Sequence, residues 1–460
     1  MIVSATPRRR VRFGLKAILI VIVVILLAAG YYLNSLLPII TGYAAKNLAS
    51  GVFISGRTQE DMESHDLNFS FIAKAKNTVD YKNMKVISKF LWGKSEAVYR
   101  DRFGVTLLRD IEEEELRDIV FPQGIVPGYS GDTIPWPMGN IIPEIDSGIQ
   151  NYDIQKLSDK IVKEDLYGGD NYAAIILYKG VPVAESYDER FDRNTRFLSW
   201  SMAKSVVNGL VGIKIKLDHG FGIDNLVEID KWEGEKATRG LTLNNLLQMQ
   251  SGLRWNEDYG NRSDVTVMLH EANDFARYTY SRDFEYDPGT HWYYSSGTTN
   301  IVSYLLRNTF DSDSSYYAFP YHELFYRIGI TDAVFETDPS GTYVGSSYIY
   351  MTARDYARFA LLYQQDGIYC GERILPEGWV DYTTSEASAS DGDYGAFFWL
   401  NRGGLIEGAP EDMYMCIGHD GQRIFILPTQ ELIIVLLGYS PSGTINYSEL
   451  VEGVISTLAK

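Results

Sequence analysis

Cysteine is scarce. The 460 residues hold two, Cys370 and Cys416, and no Cys-x-x-Cys. Histidine is scarce as well: six residues, none in His-x-His or His-x-x-x-His spacing. A zinc-type site therefore has no support in the sequence. Whether the two thiols pair in an oxidising compartment or stay free is not decided by their positions. Positive charge is also short. Lys and Arg number 42 against 60 Asp and Glu, a formal net charge of -18. Arg8, Arg9, Arg10, Arg12 and Lys16 precede residue 34 without any acid, and removing those five positives leaves -23 on the rest. Such a body repels phosphates, so nucleic acid is not an expected partner. The charge reads as a source of solubility. Repeats at solenoid periods and low-complexity blocks are missing too. What is present is a 45% apolar composition, enough for a sizeable core. The length suits two to three domains, or one large enzyme domain with additions.

One long hydrophobic run stands out. Ala17 to Ala29 is wholly apolar, and no charge occurs from Ala17 to Ala45. About 20 apolar residues cross a bilayer as a helix that satisfies its own backbone. The basic cluster before the run should stay in the cytoplasm. A cleaved signal peptide is the rival. The run is long for one, and bulky Tyr31, Tyr32 and Leu33 follow Gly30. The expectation is an uncleaved signal anchor, with a cytoplasmic basic segment over 1–16 and a transmembrane helix over 17–36. Everything later is then outside the cytoplasm, on the periplasmic side.

Residues 37–149 are the expected N-terminal extracytoplasmic region and linker. Short apolar runs occur there with an acid run, Glu112–Glu115, and a Gly- and Pro-rich connection, Phe121–Gly139. No chemistry is legible in this part, which reads as a spacer or a packing partner. Over 150–460 the pattern changes. Ala173–Tyr178 and Val181–Tyr187 flank Lys179-Gly180 as a hairpin, and Arg423–Leu427 with Leu432–Leu437 form a second. Helices are predicted after Ser201, over Leu243–Gln250 behind the cap Thr242, over Asn300–Arg307 and over Tyr447–Lys460. Strands at both ends with helices between them predict an α/β (α+β) fold. It would be an antiparallel sheet flanked by helices.

Ser201-Met202-Ala203-Lys204 is the one Ser-x-x-Lys in the chain. Positions three apart share a helix face, so the amine can reach the hydroxyl. A serine needs a nearby base to become a nucleophile, and burial can lower a lysine pKa far enough to serve. A four-residue pattern alone also arises by chance. Its companions carry more. Tyr294-Ser295-Ser296 follows the turn Asp287-Pro288-Gly289-Thr290 and offers a phenol for proton transfer and a hydroxyl for substrate or Lys204. Gly418-His419-Asp420-Gly421-Gln422 runs into the strand Arg423–Leu427. There the N–H of Gln422 can join that of Ser201 as an oxyanion hole. Gly421 permits close backbone approach, and His419 offers a polar or cationic contact.

In this order the three motifs resemble the serine β-lactamase-related family: class C β-lactamases, D,D-peptidases, family VIII esterases and 6-aminohexanoate-dimer hydrolases. Leu241 to Leu253 and Thr352 to Phe359 resemble its connecting segments, and the likeness spans about residues 150–460. The resemblance implies a β-lactamase/transpeptidase-like fold with a mostly helical subdomain. It also implies Ser201 as nucleophile, Lys204 as base, Tyr294 as proton shuttle and acid, and no metal or organic cofactor. Ser296 stands where many β-lactamases have Asn, and His419 where class C enzymes have Lys. A Tyr-x-Ser motif looks more like the amidase and esterase branch. The expected function is a membrane-anchored serine hydrolase cleaving a small ester, amide or peptide. The alternative is a module that binds or senses β-lactams or cell-wall peptides with little turnover.

Overall fold

The computed structural model describes residues 8–143, 151–230, 232–441 and 443–459. The domain boundary expected at 149/150 lies outside the described residues, as does the first part of the basic segment, residues 1–7.

Both hairpins expected from the sequence form, and they merge. Strands Asn171–Tyr178 and Val181–Tyr187 join Leu432–Gly438, Arg423–Leu427, Tyr414–Ile417 and Trp399–Leu400 in one antiparallel six-stranded sheet. The seam pairs Ile434 with Ile176 and Val435 with Ile175, so the ends of this region close on each other. Every residue of Leu432–Gly438 is buried, because both faces of this central strand are covered. On one face Phe425, Leu427, Ile434 and Leu436 pack with Ile154 and Ile161 of helix Asn151–Lys163 and with Leu450, Val451 and Val454 of helix Tyr447–Leu458. On the other, Ile424, Ile426, Ile433 and Val435 pack with helices Ala203–Leu217 and Ala353–Gln364. Each such apolar side chain contributes about 1.5–3 kcal/mol when fully buried.

Between the hairpins lie the helices. Thr242 and Asn245 form a capping box, but the helix runs only Leu243–Leu247. Met249 adopts φ 58°, which a helix does not accommodate, and ends it earlier than Gln250. The helix expected from Asn300 starts at Ser296, with Ser295 as its cap. Gly212 lies against the Trp379 indole, where a Cβ would come within 2.6 Å. This close packing explains a glycine inside helix Ala203–Leu217. Cys370 and Cys416 are both free, the first exposed and the second buried in the sheet.

The N-terminal region is built on one long helix, Arg8–Phe53, with a four-stranded antiparallel sheet beside it and two short helices, Gln59–Ser64 and Glu113–Asp118. At roughly 1.5 Å per residue the 46 residues of the long helix extend about 70 Å. Its two halves differ. Ile18 to Leu27 are 46–68% exposed. Ala44, Ala45, Leu48 and Ala49 are fully buried against Val86, Ala97 and Val105 of the sheet. Pro38 sits between the halves and removes one bond of the helix ladder. Lys46 is buried with Glu336 as an ion pair, donates to Ser50 Oγ at 2.9 Å and lies 4.1 Å from the Tyr348 ring centroid. The region thus packs on the C-terminal one through buried polar as well as apolar contacts.

Candidate active site

A short three-stranded sheet sets up the turn. Arg196–Leu198 pairs with Ile349–Thr352, and Ser199 N donates to Ile349 O at 2.8 Å. Trp200 then takes φ 44° and opens a 3-10 turn, Trp200–Met202, that feeds helix Ala203–Leu217. Ser201 is half-buried on this turn, and Lys204 is 1% exposed one turn on. The spacing of the motif is realised: Lys204 Nζ lies 2.9 Å from Ser201 Oγ.

Lys204 has two more partners, Ser296 Oγ at 3.1 Å and the Ser346 carbonyl at 2.9 Å. Ser296 Oγ itself hydrogen-bonds to a Glu257 carboxylate oxygen, and Ser296 N donates to Glu257 at 2.9 Å. This network fixes the protons. The Ser296 hydrogen goes to Glu257, so Ser296 has only lone pairs for Lys204. The Ser346 carbonyl can only accept. Lys204 must donate to both. Ser201 is then the one contact that can either accept the third N–H of an ammonium or donate its own hydrogen to the lone pair of a neutral amine. Burial lowers the Lys204 pKa to about 8, opposed by the charge of Glu257.

Tyr294 comes from the segment before helix Ser296–Arg307, where Tyr293 N is tied to Met249 O at 3.0 Å. Its ring centroid lies 4.7 Å from Lys204 Nζ. Trp399 and Tyr394 hold the ring from the sheet side, with centroids 5.3 and 6.0 Å away. Burial, then Glu257, raises the phenol well above its ordinary pKa, while a hydrogen bond with Ser201 pulls the other way. The phenol therefore keeps its proton at neutral pH, which makes it a donor.

The third motif lies beside the turn. Gly418 approaches the Ser199 carbonyl so closely that a Cβ would come within 2.4 Å. His419 stacks on Tyr259 at 4.9 Å, meets Trp200 edge-on at 5.5 Å and lies 3.3 Å from Asp420. Gly421 needs its φ of 91°, and its close neighbour is Ser440. Gln422 spends its side chain on the sheet, donating to Gly438 O at 2.5 Å and accepting from Gly438 N at 3.2 Å. Its N–H reaches His419 O at 3.4 Å, a long bond.

Sequence reasoning missed Glu257, Tyr259 and the Ser346 carbonyl. Glu257 gathers Trp255 Nε1 at 2.5 Å and Tyr259 OH at 3.2 Å besides Ser296. In sequence it is one acid in a polar loop beside exposed Asp258, and nothing there marks it. Among the described residues no group of three or more His, Cys, Asp and Glu could hold a metal ion. A cavity of about 60 Å³ between Tyr43, Trp200 and Gln422 lies behind Trp200 and is not lined by Ser201, Lys204 or Tyr294.

The sheet and the helical layer are those of the β-lactamase/transpeptidase-like fold. The family model described as Beta-lactamase matches residues 162–443, more than half of the chain. The chain belongs to the Beta-lactamase family, whose relatives include esterases and amidases, and it is a serine hydrolase. A 6-aminohexanoate-dimer hydrolase of Paenarthrobacter ureafaciens is 24% identical over 323 residues, covering 63% of this chain and 78% of that protein. Among solved structures, EstCE1, a hydrolase with promiscuous acyltransferase activity, superposes with a TM-score of 0.53 at 12% identity, over 67% of this chain and 99% of that one.

Proposed function

We propose that this chain is a membrane-anchored serine hydrolase that cleaves an ester or amide outside the cytoplasm through an acyl-enzyme on Ser201. The observation that carries the reading is the proton arrangement around Lys204. With two of its three contacts restricted to accepting, the neutral amine turns its lone pair to Ser201. Lys204 takes the Ser201 proton as Oγ attacks the substrate carbonyl. Tyr294, kept protonated by burial, gives its proton to the leaving group. The N–H groups of Ser201 and Gln422 stabilise the oxyanion. The weak Gln422 bond to His419 O is the one an oxyanion replaces. Ser296 orients Lys204, Gly421 allows the turn, and His419 with Tyr259 lines the approach.

The Tyr-x-Ser motif and the relative named for an amide dimer support linear esters and amides as the substrate class. The anchor reading is supported by the exposed apolar half of the N-terminal helix and the basic residues before it. A fluorophosphonate probe, with a panel of nitrophenyl esters, a chromogenic cephalosporin and linear amide oligomers, tests the chemistry. Ser201→Ala is expected to abolish labelling and turnover, and Tyr294→Phe to slow turnover by about 10²-fold or more. Equal labelling of Ser201→Ala and wild type would remove Ser201 from the mechanism. Acylation without turnover would assign a binding or sensing role.

A further inference from the structure

The second and third strands of the N-terminal sheet, Lys85–Phe90 and Gly93–Arg100, meet in a tip that no core contact explains. Leu91 and Trp92 there are 61% and 63% exposed, and exposed Lys89 and Lys94 flank them. The tip has a fixed height along the N-terminal helix. Trp92 Nε1 donates to Asn34 Oδ1 at 2.8 Å, and a Cβ on Gly93 would come within 2.7 Å of Leu37. From there the third strand climbs the helix toward its C-terminus, since Ser95 Oγ meets Thr41 Oγ1 at 2.7 Å. The tip is therefore the end of the hairpin nearest the exposed apolar half. Phe71, 52% exposed, adds a ring 6.0 Å from Phe90. On the helix just below, Tyr31 and Tyr32 are 80% and 52% exposed.

A span beginning at Ala17 crosses the hydrocarbon in about 20 residues and leaves it near Leu36. The level of Asn34 is then the outer headgroup layer. Exposed Trp, Tyr and Phe with lysines beside them are what that layer favours: rings at headgroup depth and ammonium groups on lipid phosphates. We propose that the Leu91–Trp92 tip, with Phe71 and the two helix tyrosines, docks into the outer leaflet of the bilayer that the helix spans. This rests on the anchor reading above. The consequence is positional. The helix continues to Tyr43, which stacks on Trp200 with ring centroids 6.4 Å apart, next to Ser201. Tyr43 lies nine residues past Asn34, about 14 Å along the axis. Span and collar together hold the site at a set height above the headgroups.

The test uses the full chain in vesicles of phosphatidylcholine and phosphatidylglycerol, in a Cys370→Ser background. An environment-sensitive fluorophore is placed at Leu91→Cys, Leu27→Cys or Tyr152→Cys, the last 75% exposed on the catalytic region. Lipids brominated near the headgroup or deep in the chain serve as quenchers. The expected result is loss of Leu91-site fluorescence with shallow bromines, loss of Leu27-site fluorescence with deep ones, and none at the Tyr152 site. Quenching at Leu27 without quenching at Leu91 overturns the collar while the span stands, leaving the tip to water or to a protein. No quenching at either site overturns the span and the collar together.

Discussion

Two lysines of this chain are buried to the same depth and surrounded in opposite ways. Lys46, 3% exposed, joins the N-terminal helix to the C-terminal region through direct contact with the Glu336 carboxylate. Lys204, 1% exposed, touches two hydroxyls and a carbonyl, and the nearest carboxylate, Glu257, is held one hydroxyl away. Burial lowers the Lys46 pKa as well, but the touching Glu336 carboxylate opposes this by its charge and its hydrogen bond, and the pair serves as a fastener. Around Lys204 the touching partners are neutral and only the more distant charge of Glu257 opposes the desolvation cost, so Lys204 can lose its proton near neutral pH. Burial alone therefore does not identify a base; the chemistry of the contacts does.

The contrast can be broken from either side. The largest expected effect is on turnover: Lys204→Met should lower kcat/KM by roughly 10²–10⁴-fold. Its melting temperature should be kept or raised, since a costly buried amine is gone. A steady-state assay beside a thermal melt checks both. Lys46→Met should do the reverse. It strands Glu336 and costs about 3–5 kcal/mol of stability, measured by denaturant unfolding, while kcat of the folded fraction stays near wild type. Adding Glu336→Leu should restore much of the loss, because the whole pair is then replaced by apolar volume. A smaller effect lies in the pH profile. Because the Lys204 pKa is lowered to about 8, the neutral base grows as pH rises through about 8, and kcat/KM should climb there and then level off. Glu257→Gln removes the charge that opposes this lowering, so the rising limb should move to lower pH. A limb that stays in place would mean that Glu257 does not set the Lys204 charge.

Much of the site is legible in the amino-acid sequence. Ser201 and Lys204 are local, one helical turn apart, so a short pattern contains their geometry. Tyr294 and Ser296 are legible because a turn precedes them, whereas the sequence places the next helix only from Asn300 and it starts at Ser296. The third motif is legible in place but less so in detail. His419 stacks on an aromatic ring from another loop, and the Gln422 side chain serves the sheet. Neither follows from the motif, because both depend on segments that meet only in the folded chain.

The sequence by itself determined the local parts: the apolar run, both hairpins, the capped helices and the Ser-x-x-Lys spacing. These rest on periodicity, capping and turn chemistry, which act over a few residues. The tertiary structure decided what those parts do to each other. It carried the N-terminal helix through to Phe53, because residues from Leu37 on find a sheet to pack against. It brought Glu257 and the Ser346 carbonyl to Ser296 and Lys204 across long sequence separations. Proton positions and pKa shifts follow from that meeting, since desolvation and charge act through space and not along the chain.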